Sequence, residues 1–449
     1  MLSTFKRTAF VLLSIALVFS LAACGGGNSS QVPSEGTTKQ EGGGDSGKES
    51  QKEVKLTFQN AYPDETNIQH RVMRKLIDDY TAANPAIKIE IDSLNMDQQK
   101  IKLKTQAASD SMPDITVVNA SAQMEPFVTG GKLAPLDDIL AREGLGDSFQ
   151  TGILDYYKFD DHIYALPDGN NVAAVYYNKE LFEQAGVAVP KTFEELVQAA
   201  KTFNERGIIP MVVGEKETWT GSYFFMNIVL RLAGPGFLNE ILAGKKDFMD
   251  PAFVESIAKM KEFIQVNGFQ EGATSYDYDM AENLFITGKT AMYFMGTWAT
   301  AAIEDSDIVD KIGVFAFPTV NGKGDPNEFM LGPGTGFALA ANSPHLAEAK
   351  DFLHYYMLNY PKVSFEMKNA VGLAQKVEGD FQAAGYSKLA MDVLDMFKSV
   401  NGGDIAFDNT MDPSTTQVHL NSIQNLFASK ISPEEAAKEH QNAFEENKQ

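Results

Sequence analysis

The sequence predicts an α/β protein built on mostly parallel sheets. Two observations carry this. From Val54 to Val118, short apolar runs of strand periodicity alternate with longer runs of helical periodicity, in the order β-α-β-α-β. The same alternation resumes after Pro167, and the chain from residue 53 onward is long enough for two domains.

The elements follow in order. VKLTF predicts a strand over Val54–Phe58, and a helix follows over His70–Ala83, with Val72, Leu76 and Tyr80 on one face and Asn84-Pro85 as its stop. IKIEI alternates as a strand over Ile87–Ile91. A helix over Gln98–Ala108 then leads through Pro113-Asp114 into the buried strand ITVV. Past Pro167, Val172–Tyr177 is an apolar strand. Asn178 is placed to cap KELFEQA, with Gly186 just beyond its end. Thr192 and Glu195 have the spacing of a capping box for a helix to about Asn204. Ile208–Val213 is a strand, Asp250-Pro251 opens a helix, and Ile312–Phe317 is a strand ended by Pro318. Ser343-Pro344 opens a helix to about Asn359, and Ser432-Pro433-Glu434-Glu435 opens the last one.

The front end has a different character. Lys6 and Arg7 precede Ala9–Ala23, an apolar run shorter than the roughly 18–20 residues that span a bilayer. A basic start, a short apolar core and small residues describe a secretory leader over 1–23. Leu21-Ala22-Ala23-Cys24 resembles the bacterial lipoprotein box, and Cys24 is the only cysteine in the 449-residue chain. The resemblance implies lipid on Cys24, stable membrane holding through more than one acyl chain, and a location on the outer face of the cell membrane. Residues 24–52 then form a polar, glycine-rich tether with a reach on the order of 25–30 Å. With its thiol acylated, the chain has no disulfide to rely on, and stability must come from core packing.

Composition narrows the partners. With 60 acidic and 38 basic side chains the net charge is −22, which repels nucleic acid and anionic headgroups. The histidines, at 70, 162, 345, 354, 419 and 440, lack H-x-x-x-H spacing, so no zinc site is expected. Asp277-x-Asp279 departs from a calcium loop, because Gly288 stands where a glutamate is needed. No G-x-S-x-G elbow appears, and no carboxylate pair stands out among so many acids. Neither a cofactor nor a catalytic residue is expected.

Five segments in one order resemble a known family: the extracellular solute-binding proteins that serve ABC importers, of the class that mostly binds sugars. They are Ile163–Glu195 (IYALP, then VYYNKELFEQAG, then PKTFEEL), Met112-Pro113-Asp114-Ile115, Phe285–Met292, Gly296-x-Trp298, and Ala349–Phe352. The resemblance implies two α/β lobes joined by crossing segments, with the ligand in the cleft between them. It places lobe one at 53–168 plus 318–360 and lobe two at 169–317 plus 361–449. The crossings fall near Gly169–Val175, Ile312–Pro318 and Leu358–Val363. The implied partners are a small sugar and a membrane permease that receives it, with the binding protein itself a monomer.

A sugar has flat C–H faces that stack on aromatic rings and rim hydroxyls that both donate and accept. Trp219, in the loop after a strand, and Trp298 are the stacking candidates, and Trp298 matches a stacking position of the family. The polar candidates follow strand ends, where open α/β sheets bind ligands: Asn60, Tyr62, Asp64, Asn119, and Asp168, Asn170 and Asn171 of DGNN. Asn171 aligns with a ligand contact of maltose-type members. The residues around Asn119 lack the aromatic and charged groups of those members, which argues against a maltodextrin. Gly332, in GPGTG, is expected to bring backbone close to the cleft; without a following Lys-Ser/Thr pair the loop is not a phosphate cradle. Two alternatives stay open: the same fold holding a polyol, a polyamine or a glycosylated metabolite, and a surface hydrolase.

Overall fold

The protein is described by a computed structural model over residues 53–428 and 431–447. The leader, Cys24 and the expected tether lie outside the described residues.

Two separate mixed sheets organise the chain. The strands are β1 (Val54–Asn60), β2 (Ile87–Ser93), β3 (Ile115–Asn119), β4 (Lys158–Phe159), β5 (His162–Ile163), β6 (Leu166–Pro167), β7 (Asn171–Asn178), β8 (Ile209–Val212), β9 (Thr290–Gly296), β10 (Ile312–Phe315), β11 (Glu328–Gly332), β12 (Thr335–Leu339) and β13 (Gly402–Ile405). The first sheet runs β2-β1-β3-β12-β6, and the second runs β13-β11-β7-β9-β8 with β10 also on β7. β4 and β5 form a small hairpin. The expected parallel pairing holds for β1 with β2 and β3, and for β8 with β9. It gives way where strands arrive from the other lobe: β12 runs against β3, and β10 and β11 run against β7.

Local signals are realised atom by atom. Asn178 Oδ1 accepts from the N–H groups of Glu180 and Leu181, and Gly186 closes that helix in the left-handed region. Thr192 and Glu195 make the reciprocal capping box of the helix Phe193–Glu205. Asp250 caps Pro251–Gln265. Each lobe then buries its own core. The first gathers Leu56, Phe58, Leu76, Val117, Phe337, Phe352 and Tyr356. The second gathers Phe193, Phe203, Phe224, Phe253, Phe263 and Phe294 around the helix Trp219–Ala233.

The crossings differ from the expected ones. The chain leaves the first sheet after Pro167 and enters the second at Asn171. The return is not at Ile312–Pro318. β10 and β11 both pair in the second sheet, and Phe317 and Val320 lie in its core, so residues 318–332 belong there. The return comes at Pro333-Gly334, between β11 and β12. The expected third crossing at 358–363 lies inside a helix, Leu346–Glu366, that runs through Pro361. Proline removes the N–H that would bond Met357. Gln375 Nε2 donates to that carbonyl instead, at 3.0 Å, so the helix continues. Val363, Leu373 and Tyr386 accordingly pack in the first core, although 361–449 was expected in lobe two.

Two histidines meet in the second lobe. His440 Nδ1 donates to Ala436 O at 2.7 Å, so its Nε2 accepts from His419 Nδ1 at 2.8 Å, and His419 Nε2 accepts from Ser222 at 2.7 Å. Phe407 lies flat on His419, with centroids 3.7 Å apart. Burial lowers the proton affinity of both rings, and each has the other beside it. Their neutral forms therefore support the fold above the unfolded value near 6.5, and that support is lost as pH falls below it. Between about pH 7 and about pH 5 the urea midpoint should fall more steeply in the unaltered chain than in His440→Gln. Equal slopes would remove the pair from that role.

Candidate functional site

The aromatic candidates converge. Trp219 is not in a loop: it is the first residue of the helix Trp219–Ala233, entered through Thr218 at a left-handed φ of 71°. Tyr223 is one helical turn on, hence on the same face. Trp298 follows β9, and its ring stacks on Tyr223 at 5.8 Å and 28°. Trp219 stands 6.3 Å from Trp298 and stacks on Tyr278 at 5.9 Å and 22°. Both tryptophans are half-buried. Trp219 Nε1 is shielded from solvent with no partner among the described residues. Gly332 closes on this cluster: a Cβ there would stand 2.7 Å from the Trp298 ring and 3.5 Å from Asn171 Cβ.

A second group ties the crossings together. Asp168 accepts from the Tyr62 hydroxyl at 2.5 Å, from Thr335 Oγ1 at 2.8 Å and from Thr335 N at 3.1 Å. Burial raises its pKa and these donors oppose the shift. Gly334 has φ 80°, and a Cβ there would meet Asp168 at 2.7 Å. Asn60 accepts from Tyr62 N and donates to Ser93. Buried Asn171 accepts from Thr297, and Asn170 N bonds Gly372 O at 2.7 Å. The hydrogen bonds of Asn60 and Asp168, and the Oδ1 of Asn171, are thus committed within the protein. Asp64 stands apart, exposed, closing a turn onto Thr66.

A third group spans the lobes. Asn119 donates to Gln123, and Gln123 Nε2 donates to Asp408 at 2.8 Å. Asn409 Nδ2 donates back to Ala120 O at 3.1 Å. Arg71 pairs with Asp305 at 2.9 Å elsewhere on the rim. Asp97 of the first lobe faces Asp408 and Lys216 of the second. Glu217 has a pKa raised to about 7 by burial and then by Asp97, and its Oε2 has no partner among the described residues. Sequence reasoning missed Gln123, Glu217, Tyr223, Tyr278, Asp408 and Asn409. Only Tyr223 carried a signal, its four-residue spacing from Trp219. The others reach the cleft through tertiary packing.

Glu215 holds the loop that presents Trp219. Fully buried, it accepts from Gly221 N at 2.5 Å and Thr220 Oγ1 at 3.1 Å, plugging the helix start. Burial raises its pKa to about 8. The protonated form is therefore the one the fold favours. Its support is complete below about pH 4.5 and is lost as pH rises toward about 8. Glu215→Ala orphans the Gly221 N–H and should cost about 1–3 kcal/mol in urea unfolding, while Glu215→Gln should stay near the parent and lose the pH slope. A Glu215→Ala midpoint equal to the parent's would show that this carboxyl holds nothing.

Rings of the second lobe thus stand near amides and carboxylates of both lobes, a chemistry that suits a polar solute. Comparison with known proteins agrees. Residues 66–359 match the bacterial extracellular solute-binding protein family. A multiple sugar-binding protein of Streptococcus mutans is 26% identical over 68% of this chain and 71% of its own length. An ABC transporter extracellular-binding protein of Pyrococcus horikoshii is 25% identical over 78% of this chain and 76% of its own. A protein solved in work on xylan utilization by Caldanaerobius polysaccharolyticus superposes with TM-score 0.81 at 30% identity, covering 87% of this chain and 99% of that one. A chitin oligosaccharide binding protein gives 0.80 at 25% identity, covering 88% and 98%. Two lobes, an interlobe cleft and a match over most of the chain lead to one conclusion: this protein belongs to the bacterial extracellular solute-binding proteins.

Proposed function

We propose that the chain captures a sugar outside the cell and hands it, chemically unaltered, to the permease of an ABC importer. The observation that carries this is the pair of half-buried rings Trp219 and Trp298, with Tyr278 stacked on the first and buried Tyr223 backing the second. Rings offer a sugar its apolar floor. Asn119, Gln123, Glu217 and Asp408 supply the hydroxyl partners, and the Streptococcus mutans relative is a sugar-binding protein as the chitin oligosaccharide binding protein is. Ligand that touches both lobes favours closure by its differential affinity, and the closed form docks on the permease. Trp298→Ala should weaken binding by about 2 kcal/mol in calorimetry, near thirtyfold, without unfolding the chain. Affinity equal to the parent's would take the ring out of the site.

A second ligand class has one observation behind it: burial raises the pKa of Asp279, and the nearby carboxylates of Asp277, Asp64 and Asp97 add to that shift, so several acidic groups gather in this region. That favours a cationic solute such as a polyamine. A thermal-shift screen against sugars, polyols and polyamines separates the two, because a ligand that binds only the folded state raises the melting temperature. The largest shift from a polyamine would sink the sugar reading.

Lipid on Cys24 holds the chain, as a monomer, at the outer face of the membrane in this account. Cys24→Ser should move the protein from the membrane fraction to the medium and abolish labelling by a palmitate analogue. Retention in the membrane would end the lipid-anchor proposal.

A further inference from the structure

Trp219 has no hydrogen bond to aim it. Its Nε1 is shielded with no partner among the described residues, so the ring is set by the surfaces it meets. One is Trp298, tilted at 49° and 6.3 Å away. The other is Tyr278, stacked at 22° and 5.9 Å, which makes Tyr278 the flat support on which Trp219 lies. The chain enters Trp219 through Thr218 at φ 71°, a region that a β-branched residue rarely adopts, so the contacts around the entry must hold it in place.

What holds Tyr278 lies one turn further on. Tyr278 opens the helix Tyr278–Ile286, capped by Asp277, and Glu282 is four residues later on the same face. The Tyr278 hydroxyl donates to Glu282 Oε1 at 2.8 Å. With its ring against Trp219 and its hydroxyl on Glu282, this side chain is tied at both ends.

Tyrosines and one acid surround Glu282. Asp279 faces it from its own helix, Tyr293 from β9 and Tyr176 from β7. Burial pushes the Glu282 carboxyl up to about 7; the Tyr278 bond pulls it down and Asp279 adds to the rise. A group poised there passes from a neutral acceptor to a charged one as pH rises, and the charged acceptor holds a hydroxyl more strongly.

We propose that Glu282 is the positioning residue of the ring wall: through the Tyr278 hydroxyl it fixes the support under Trp219, and so the angle at which that ring meets a solute. Glu282 acts through Tyr278 and not by touching the solute. The proposal rests on the reading of Trp219 as a stacking surface and adds the residue that aims it.

The full chain has two tryptophans, so Trp298→Phe leaves Trp219 as the sole emitter. In that background Glu282→Leu should raise the acrylamide quenching constant about twofold, while Glu282→Gln, which keeps an acceptor, should match the parent. The parent's emission should change with pH around a midpoint near 7, and Glu282→Gln should be flat. Glu217, two residues before Trp219 and also raised to about 7, is the rival source of that change, so Glu217→Gln should leave it in place. Circular dichroism equal to the parent's shows that each variant is folded. Parental quenching in folded Glu282→Leu, a flat parent profile, or a pH response that survives Glu282→Gln overturns the proposal. With Trp298 restored, xylotriose, chitobiose and raffinose are the binding probes. Whichever raises the parent's melting temperature should do so less in Glu282→Leu and equally in Glu282→Gln. An equal rise in Glu282→Leu overturns the role of Glu282. No rise from any probe counts against the sugar reading, and the quenching of Trp219 then decides the role of Glu282 by itself.

Discussion

Everything about the cleft depends on two crossing segments lying side by side. Asp168, in the first, accepts both the backbone N–H and the hydroxyl of Thr335, just past the second. Tyr62 joins them from the end of β1, and Tyr157 donates to the carbonyls of Pro333 and Gly334. Asn170 N adds a bond to Gly372 O, in the stretch that follows the helix Leu346–Glu366. Charge-assisted bonds to a buried carboxylate are among the stronger protein hydrogen bonds. They tie the two crossing segments to each other and to the end of β1. Gly334 is the steric condition for this knot, since any side chain there would strike Asp168.

From those segments the two walls divide the labour. The second lobe carries the rings, because the helix start at Trp219 and the turn after β9 both end at the cleft. The first lobe carries amides, with Asn119 and Gln123 beyond the end of β3. In the proposed function a solute gains its full set of contacts only when both walls reach it, which would make closure and binding one equilibrium. Burial raises the pKa values of Asp97, Glu217 and Asp408, and repulsion adds to it at two of them: Asp408 at Asp97, and Asp97 at Glu217.

The legible parts of the chain were those written in local terms. The Asn178 cap, the Thr192–Glu195 box and the alternation of Ile87–Ile91 each involve residues within a turn or a strand of one another. Asn60 and Asp168 are polar residues at strand ends, as the sequence indicates, and their bonds go to neighbouring segments. Pro361 shows the limit most plainly. Its local meaning is a helix stop, and the residue that cancels it, Gln375, lies beyond the helix end in a segment with no motif of its own.

The sequence by itself determined the α/β class, the caps and strands, the pair of tryptophans and the order of motifs that marks the family, because each is encoded within short stretches of chain. Tertiary structure decided where the chain changes lobes, which polar groups are spent at the hinge and which face the cleft, and which bridge joins Gln123 to Asp408. Those outcomes turn on pairing between segments far apart in sequence, as in β11 against β7. Hydrogen-bond partners and burial exist only once such segments meet.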